Sequence, residues 1–186
     1  MSPHAWLFAV RREELMSTDI ALFVLRVVVG AIVAMHGFLK LGWVGKGGSI
    51  AGVSGWFNSL GLKPGMFWAL MAVLGEAGGG TLTVLGLGGP IGPGLIAADL
   101  LVVTYVAHWS QGFWAGGGKV GWEFPLPLAA AGFALAILGP GSWSVDRLLG
   151  LSYPDWLLGS WLALMAVGAL AGIAARMFLA PPPKPS

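Results

Sequence analysis

The chain contains no cysteine. That excludes disulfides, thiolate metal sites and thiol chemistry, so a redox role needs a bound cofactor or a partner. Charge is scarce as well. Asp, Glu, Lys and Arg make up 10% of the 186 residues, against about 25% in an ordinary soluble domain. So few charges cannot clothe a core of this size in a water-facing shell. A Lys/Arg block is missing too, and the net charge is only +2, which argues against nucleic acid as a partner. What remains is apolar: 56% hydrophobic residues and a mean hydropathy of +0.81. The lipid bilayer is therefore the first expected partner, and the length fits one compact unit.

A membrane-spanning helix needs about 20 mostly apolar residues. Runs over 20–39, 66–87, 91–109 and 156–179 reach or approach that length, and a run over 125–138 is shorter. The expected fold is all-α: a four-helix transmembrane bundle within 19–150, followed by an additional C-terminal transmembrane helix over 156–179. Residues 1–18 read as an N-terminal extension. They carry Arg11, Arg12, Glu13 and Glu14, and Lys40 and Gly42 follow the first run instead of a cleavage site, so that run reads as a retained helix. Ser17, Thr18 and Asp19 are expected to cap it. Pro125 suits a first helical turn. In the loop 42–63, Val53, Trp56, Phe57 and Leu60 recur at helical spacing, which predicts a short amphipathic helix at the membrane surface. The tail 180–186 is Pro-rich and is expected to be disordered. Gly75/Gly79 and Gly168/Gly172 form G-x-x-x-G pairs, the spacing that lets membrane helices approach closely.

Depth in the bilayer sorts the polar residues. With side A defined as the face where the first span begins, His36, His108 and Glu123 come from three different helices to one depth near side B, with Lys40 beside them. Arg26, Glu76 and Asp99 fall in the middle third, where a charge costs about 2.5–3.5 kcal/mol on insertion scales. An Arg26–Glu76 ion pair is the expected compensation, given the bidentate geometry open to arginine. Asp99 and His108 are nine residues apart, about 180° on an ideal helix. His108 is therefore assigned to the side-B pocket, and Asp99 to the fifth span or another subunit. Trp43, Trp56, Trp68, Trp109, Trp114 and Trp122 cluster toward side B, as an aromatic belt does.

Several stretches carry a family resemblance: Leu25-Arg26-Val27-Val28-Val29-Gly30, His36-Gly37-Phe38-Leu39-Lys40-Leu41, Gly75-Glu76-Ala77-Gly78-Gly79, His108-Trp109-Ser110-Gln111-Gly112-Phe113 and Trp122-Glu123-Phe124-Pro125-Leu126. In order and spacing they resemble the DoxX family of small bacterial membrane proteins over about 20–150. The resemblance implies a four-helix bundle in the bacterial cytoplasmic membrane, linked with respiratory electron transfer. Relatives of the family, DoxD among them, form a subunit of thiosulfate:quinone oxidoreductase. The fifth span and the tail depart from the family pattern.

The functional expectation is a redox-linked membrane subunit with a quinone-type pocket at side B. His36, His108 and Glu123 would be its catalytic groups, because imidazole and carboxyl groups can deliver protons to quinone carbonyls. Lys40, Trp109 and Trp122 would contact the cofactor. A bis-His haem b on His36 and His108 is the minor alternative, and no metal site is expected. Competing readings are a non-catalytic assembly subunit that docks protein partners through the fifth helix and Asp99, and a small-solute or proton-coupled transporter. Side B carries six basic residues against three on side A, which favours side B as cytoplasmic. The Arg11/Arg12 pair argues the other way.

Overall fold

The computed structural model describes residues 3–179, with side chains described from Leu15 onward. The tail 180–186 lies outside the described residues. Seven helices carry the described chain: α1 (Pro3–Lys40), α2 (Ile50–Ser59), α3 (Gly65–Leu85), α4 (Ile91–Gln111), α5 (Pro125–Leu138), α6 (Val145–Leu148) and α7 (Trp156–Phe178). The protein is an all-α, multi-pass membrane protein. Leu15–Lys40 of α1, together with α3, α4 and α7, are each long and apolar enough to cross a bilayer. The 14 residues of α5 reach only about 21 Å at 1.5 Å per residue, short of a hydrocarbon core of about 30 Å.

The beginning of α1 differs from expectation. Ser17, Thr18 and Asp19 do not cap a helix but lie within one that already runs from Pro3. Asp19 instead accepts a hydrogen bond from the Ser142 amide at 3.1 Å, tying α1 to the loop after α5. The surface helix α2 is capped by Ser49, whose side chain accepts from the Gly52 amide. Its Phe57 turns inward to join Leu62, Ala69, Ala72 and Val106 in a small cluster.

Lipid tails are as apolar as leucine, so close van der Waals packing, and not water exclusion, joins membrane helices. Small residues supply it here. α1 and α3 run antiparallel with Gly30 against Gly80 and Val84, and Gly37 against Ala77, too close for a Cβ. Gly79 of α3 meets Leu95 and Gly92 of α4, and Gly132 of α5 meets Ile96 and Pro93. Val29, Val33, Ile96, Leu100, Ala129 and Leu135 fill the centre. Large apolar side chains pointing away from it, such as Val28, Ile32 and Met35, are exposed and face lipid.

α7 stands outside this four-helix core. Only 11% of its most apolar window is buried, against 33–44% for the other long spans. It runs parallel to α4: Trp161 Nε1 donates to the Ile91 carbonyl at 3.2 Å at one end, and Gly172 packs on Val102 and Trp68 toward the other. The Gly168/Gly172 pair therefore faces the rest of this chain.

Both long central helices carry a π turn, Leu74–Gly78 in α3 and Thr104–His108 in α4. Such a turn inserts one extra residue and shifts the helical phase, and π turns recur at functional sites.

Candidate functional site

The side-B group does not assemble as expected. His36 is exposed, and its Nδ1 lies 2.9 Å from the Ile32 carbonyl one turn back on its own helix. His108 Nδ1 lies 2.7 Å from the Val120 carbonyl, and Glu123 accepts from the Ala115 amide at 2.7 Å. His108 and Glu123 thus fasten the hairpin between α4 and α5. Gln111 joins them, accepting from the Val120 amide and donating to the Ala107 carbonyl. Trp109 and Trp122 stack on each other at 5.6 Å, with Phe113 edge-on to Trp122 at 4.6 Å. These rings close the hairpin on itself. Equal depth put the residues on one level but said nothing of which way each one faces.

The expected Arg26–Glu76 pair is also replaced. Glu76, buried in the π turn of α3, forms its ion pair with Lys40. The antiparallel register explains the exchange. Gly37 lies opposite Ala77 and Gly30 opposite Gly80, so the end of α1 is level with Glu76. Arg26 is level with Val84, eight residues further along α3, or about 12 Å.

A cavity lies between α3, α4 and α7, with α2 at its side-B end. Its volume is about 280 Å³, and Trp56, Trp68, Met71, Leu95, Val102, Val106, Met165 and Gly172 contribute to its wall. An apolar cavity of about 150 Å³ already accepts benzene, so one ring with substituents fits. Trp56, Phe67, Met71 and Leu74 line it and are themselves exposed, so it opens sideways toward the bilayer. Residues of both π turns, Leu74 and Gly75 on one side and Val106 and Ala107 on the other, belong to the wall.

Asp99 is the one ionisable residue in that wall. Gly75, with no Cβ, leaves it room: a methyl there would collide with the Asp99 side chain. Among the described residues, Asp99 Oδ2 and Arg26 Nε are the buried side-chain polar atoms with no hydrogen-bond partner. A carboxylate oxygen left unpaired at membrane depth costs several kcal/mol on the order of a lost hydrogen bond or more. The sequence turns Asp99 toward the fifth span or another subunit. It faces α7 from inside, so a partner touching the outer face of α7 would not touch it. His36, His108 and Glu123 are absent from this wall.

The family model described as DoxX matches residues 21–109. That segment of the chain is similar to the DoxX family. No curated protein matches it, and no solved structure does. The matched segment thus contains α1 from residue 21, α2, α3 and α4 up to Trp109, and with them Lys40, Glu76 and Asp99. α5, α6 and α7 lie beyond the matched residues.

A second polar cluster ties the matched segment to that later part at side A. Arg26, 3% exposed, donates from Nη1 to the Val84 carbonyl at 3.0 Å and from Nη2 to the Trp143 carbonyl, with the Phe23 ring 5.4 Å away. Gly86 ends α3 at φ +62°, a left-handed turn that favours glycine, and packs on the guanidinium. Nearby, Asp146 of α6 accepts from the amides of Gly88 at 3.0 Å and Gly89 at 2.8 Å, and from the Tyr153 hydroxyl at 2.8 Å. Burial raises the Tyr153 phenol above its ordinary range, and the hydrogen bond to the Asp146 carboxylate adds to the effect. Sequence reasoning missed Asp146 and Tyr153. The available signal was Gly86-Leu87-Gly88-Gly89, a turn whose free amides need an acceptor.

Proposed function

We propose that this protein is a DoxX-family membrane subunit of a respiratory or redox assembly in a bacterial cytoplasmic membrane. In this reading it holds a quinone-type, lipid-soluble ring compound in the Asp99 cavity. The observation that carries it is the unpartnered Asp99 Oδ2 at the wall of an apolar, laterally open cavity of about 280 Å³. Ligand sites have this composition: mostly apolar walls with a few polar groups that fix orientation. A quinone offers ring carbonyls for the carboxyl group to bond and an apolar body for Trp68, Met71 and Val102 to surround. The proton-handling role expected of His36, His108 and Glu123 passes to Asp99. With no cysteine on the chain, electrons would come from a partner subunit.

Equilibrium binding of a short-chain ubiquinone to the protein in nanodiscs tests the assignment. Asp99→Asn should weaken binding about 10- to 100-fold, the value of one hydrogen bond to a charged or ionisable group. Equal affinity in the two proteins would remove Asp99 from the site.

A non-catalytic assembly role is the second reading, favoured by the unburied outer face of α7 with Leu164, Val167 and Leu170. Mild-detergent purification would then retain partner subunits, and polar substitutions on that face would release them without altering ubiquinone binding.

A further inference from the structure

The Lys40–Glu76 ion pair does not touch the cavity, since neither residue lines it. Its position is nonetheless specific. The π turn Leu74–Gly78 directs adjacent residues to different neighbours: Gly75 packs on Asp99, and Glu76 reaches Lys40. Glu76 and Lys40 both act electrostatically on Asp99. Three groups from α1, α3 and α4 thus form one cluster.

Access to side-B water differs across it. Lys40 is the last residue of α1, at side B, and its side chain is 23% exposed. The Glu76 side chain is 4% exposed, and Asp99, half-buried on the cavity wall, keeps its Oδ2 covered and without a partner. The cluster holds one cation and two carboxylates. Among the described residues no other cation pairs with either carboxylate: Arg176 of α7 lies further toward side B, and His36 of α1 is exposed and bonded to its own helix. α2, α5 and the stretch of α7 on the cavity carry no ionisable residue. On α4 the other titratable side chains are Tyr105 and His108, further toward side B, and Arg26 is committed at the other end of α1. A proton is the remaining compensator.

We propose that Glu76, held by Lys40, connects side-B water to Asp99 for protons, so that filling the cavity is linked to proton uptake at Asp99. The inference rests on the ligand reading above. The step moves one proton and no electrons: an O–H bond breaks at a side-B water or hydronium, forms transiently at the Glu76 carboxylate, and is remade at Asp99. Asp99 would touch the ligand. Glu76 and Lys40 act through it and are positioning residues.

Two measurements on the full chain in nanodiscs test this and separate it from the ligand reading. An infrared pH titration of the ligand-free protein follows the carboxylic-acid carbonyl band. The band should titrate in the wild type and be absent in Asp99→Asn. Glu76→Gln and Lys40→Met should displace its midpoint by about one pH unit in opposite senses, because one removes a like charge and the other an unlike charge. Lys40→Arg, which keeps the cation, should restore the wild-type profile and shows that loss of fold is not the cause. At a pH above the ligand-free midpoint, addition of a short-chain ubiquinone should then take up protons, read by a pH dye, in the wild type and not in Asp99→Asn. Proton exchange into the band should be slower in Glu76→Gln by about tenfold or more. Ubiquinone binding with midpoints and exchange unchanged by Glu76→Gln and Lys40→Met would overturn the proton connection and leave the ligand reading intact. Displaced midpoints and slowed exchange without ubiquinone binding at any pH would overturn the ligand reading and the linkage, and leave the connection itself standing.

Discussion

The two polar clusters of this membrane protein differ in how completely they are satisfied. At side A, Asp146 accepts three hydrogen bonds, and Arg26 donates to two carbonyls across more than 50 residues of sequence, with its Nε left without a partner. A space lined by Arg26 is about 10 Å³, room for one water at most. On the side-B half, Asp99 keeps an oxygen unpartnered beside about 280 Å³ of apolar space. Both clusters hold ionisable groups at a cost to insertion. The first recovers that cost by fastening the loops that close the bundle. The second does not recover it within the chain, which is the expected mark of a site that waits for something.

The comparison breaks first at Asp146. Asp146→Ala leaves two turn amides and a tyrosine hydroxyl without their acceptor, and removes the carboxylate near Arg26. A loss of about 3 kcal/mol or more is expected, seen as an earlier unfolding midpoint in a mixed-micelle denaturation. The reverse should hold at Asp99. Asp99→Leu removes an unpartnered carboxyl group from an apolar wall, so unfolding should shift later by about 1–2 kcal/mol while ubiquinone binding is lost. Destabilisation by Asp99→Leu would show that Asp99 is structural after all, and the contrast would fall.

Gly168→Leu comes next. No atom stands within 4 Å of a Cβ built at Gly168, so the larger side chain extends into the cavity that this residue lines. Ubiquinone affinity should fall about tenfold, with stability changed by no more than about 0.5 kcal/mol. Tyr153→Phe should cost about 1 kcal/mol through one hydrogen bond. It also carries a pH signature. The phenol is raised in the folded protein, so its contribution is fully present below the unfolded value of about 10 and is lost as pH rises through the folded value. Wild-type stability should fall in that alkaline window, and Tyr153→Phe should flatten the fall. The smallest effect belongs to His36. Bonded to its own helix on the lipid side, it should tolerate His36→Ala within about 0.5 kcal/mol and with unchanged ubiquinone binding.

Much of the architecture was legible because apolar runs of spanning length are hard to misread. The Gly75/Gly79 pair likewise pointed at helix contacts that the fold contains. The site was less legible for three physical reasons. Depth along a span does not give the register between antiparallel spans, so Arg26 was matched to Glu76 although the helices put Lys40 there. An ideal period of 3.6 cannot anticipate π turns, and those turns decide where Gly75, Glu76 and Ala107 point. Finally, a cavity is a gap among α3, α4 and α7 that no single segment encodes. Asp99 stood out in the sequence as a midplane carboxylate, but its isolation on the α4 wall was visible only once α7 was in place.

That placement of α7 has an evolutionary consequence. Two walls of the cavity come from the segment matched by the DoxX family, and the third comes from a helix beyond it. Without α7, Asp99 would stand in a groove open to the acyl chains, where any lipid could compete for it. The added helix turns an unselective furrow into a compartment. Under the proposed function, changing this one peripheral segment would retune selectivity while the charged cluster behind Asp99 stays untouched.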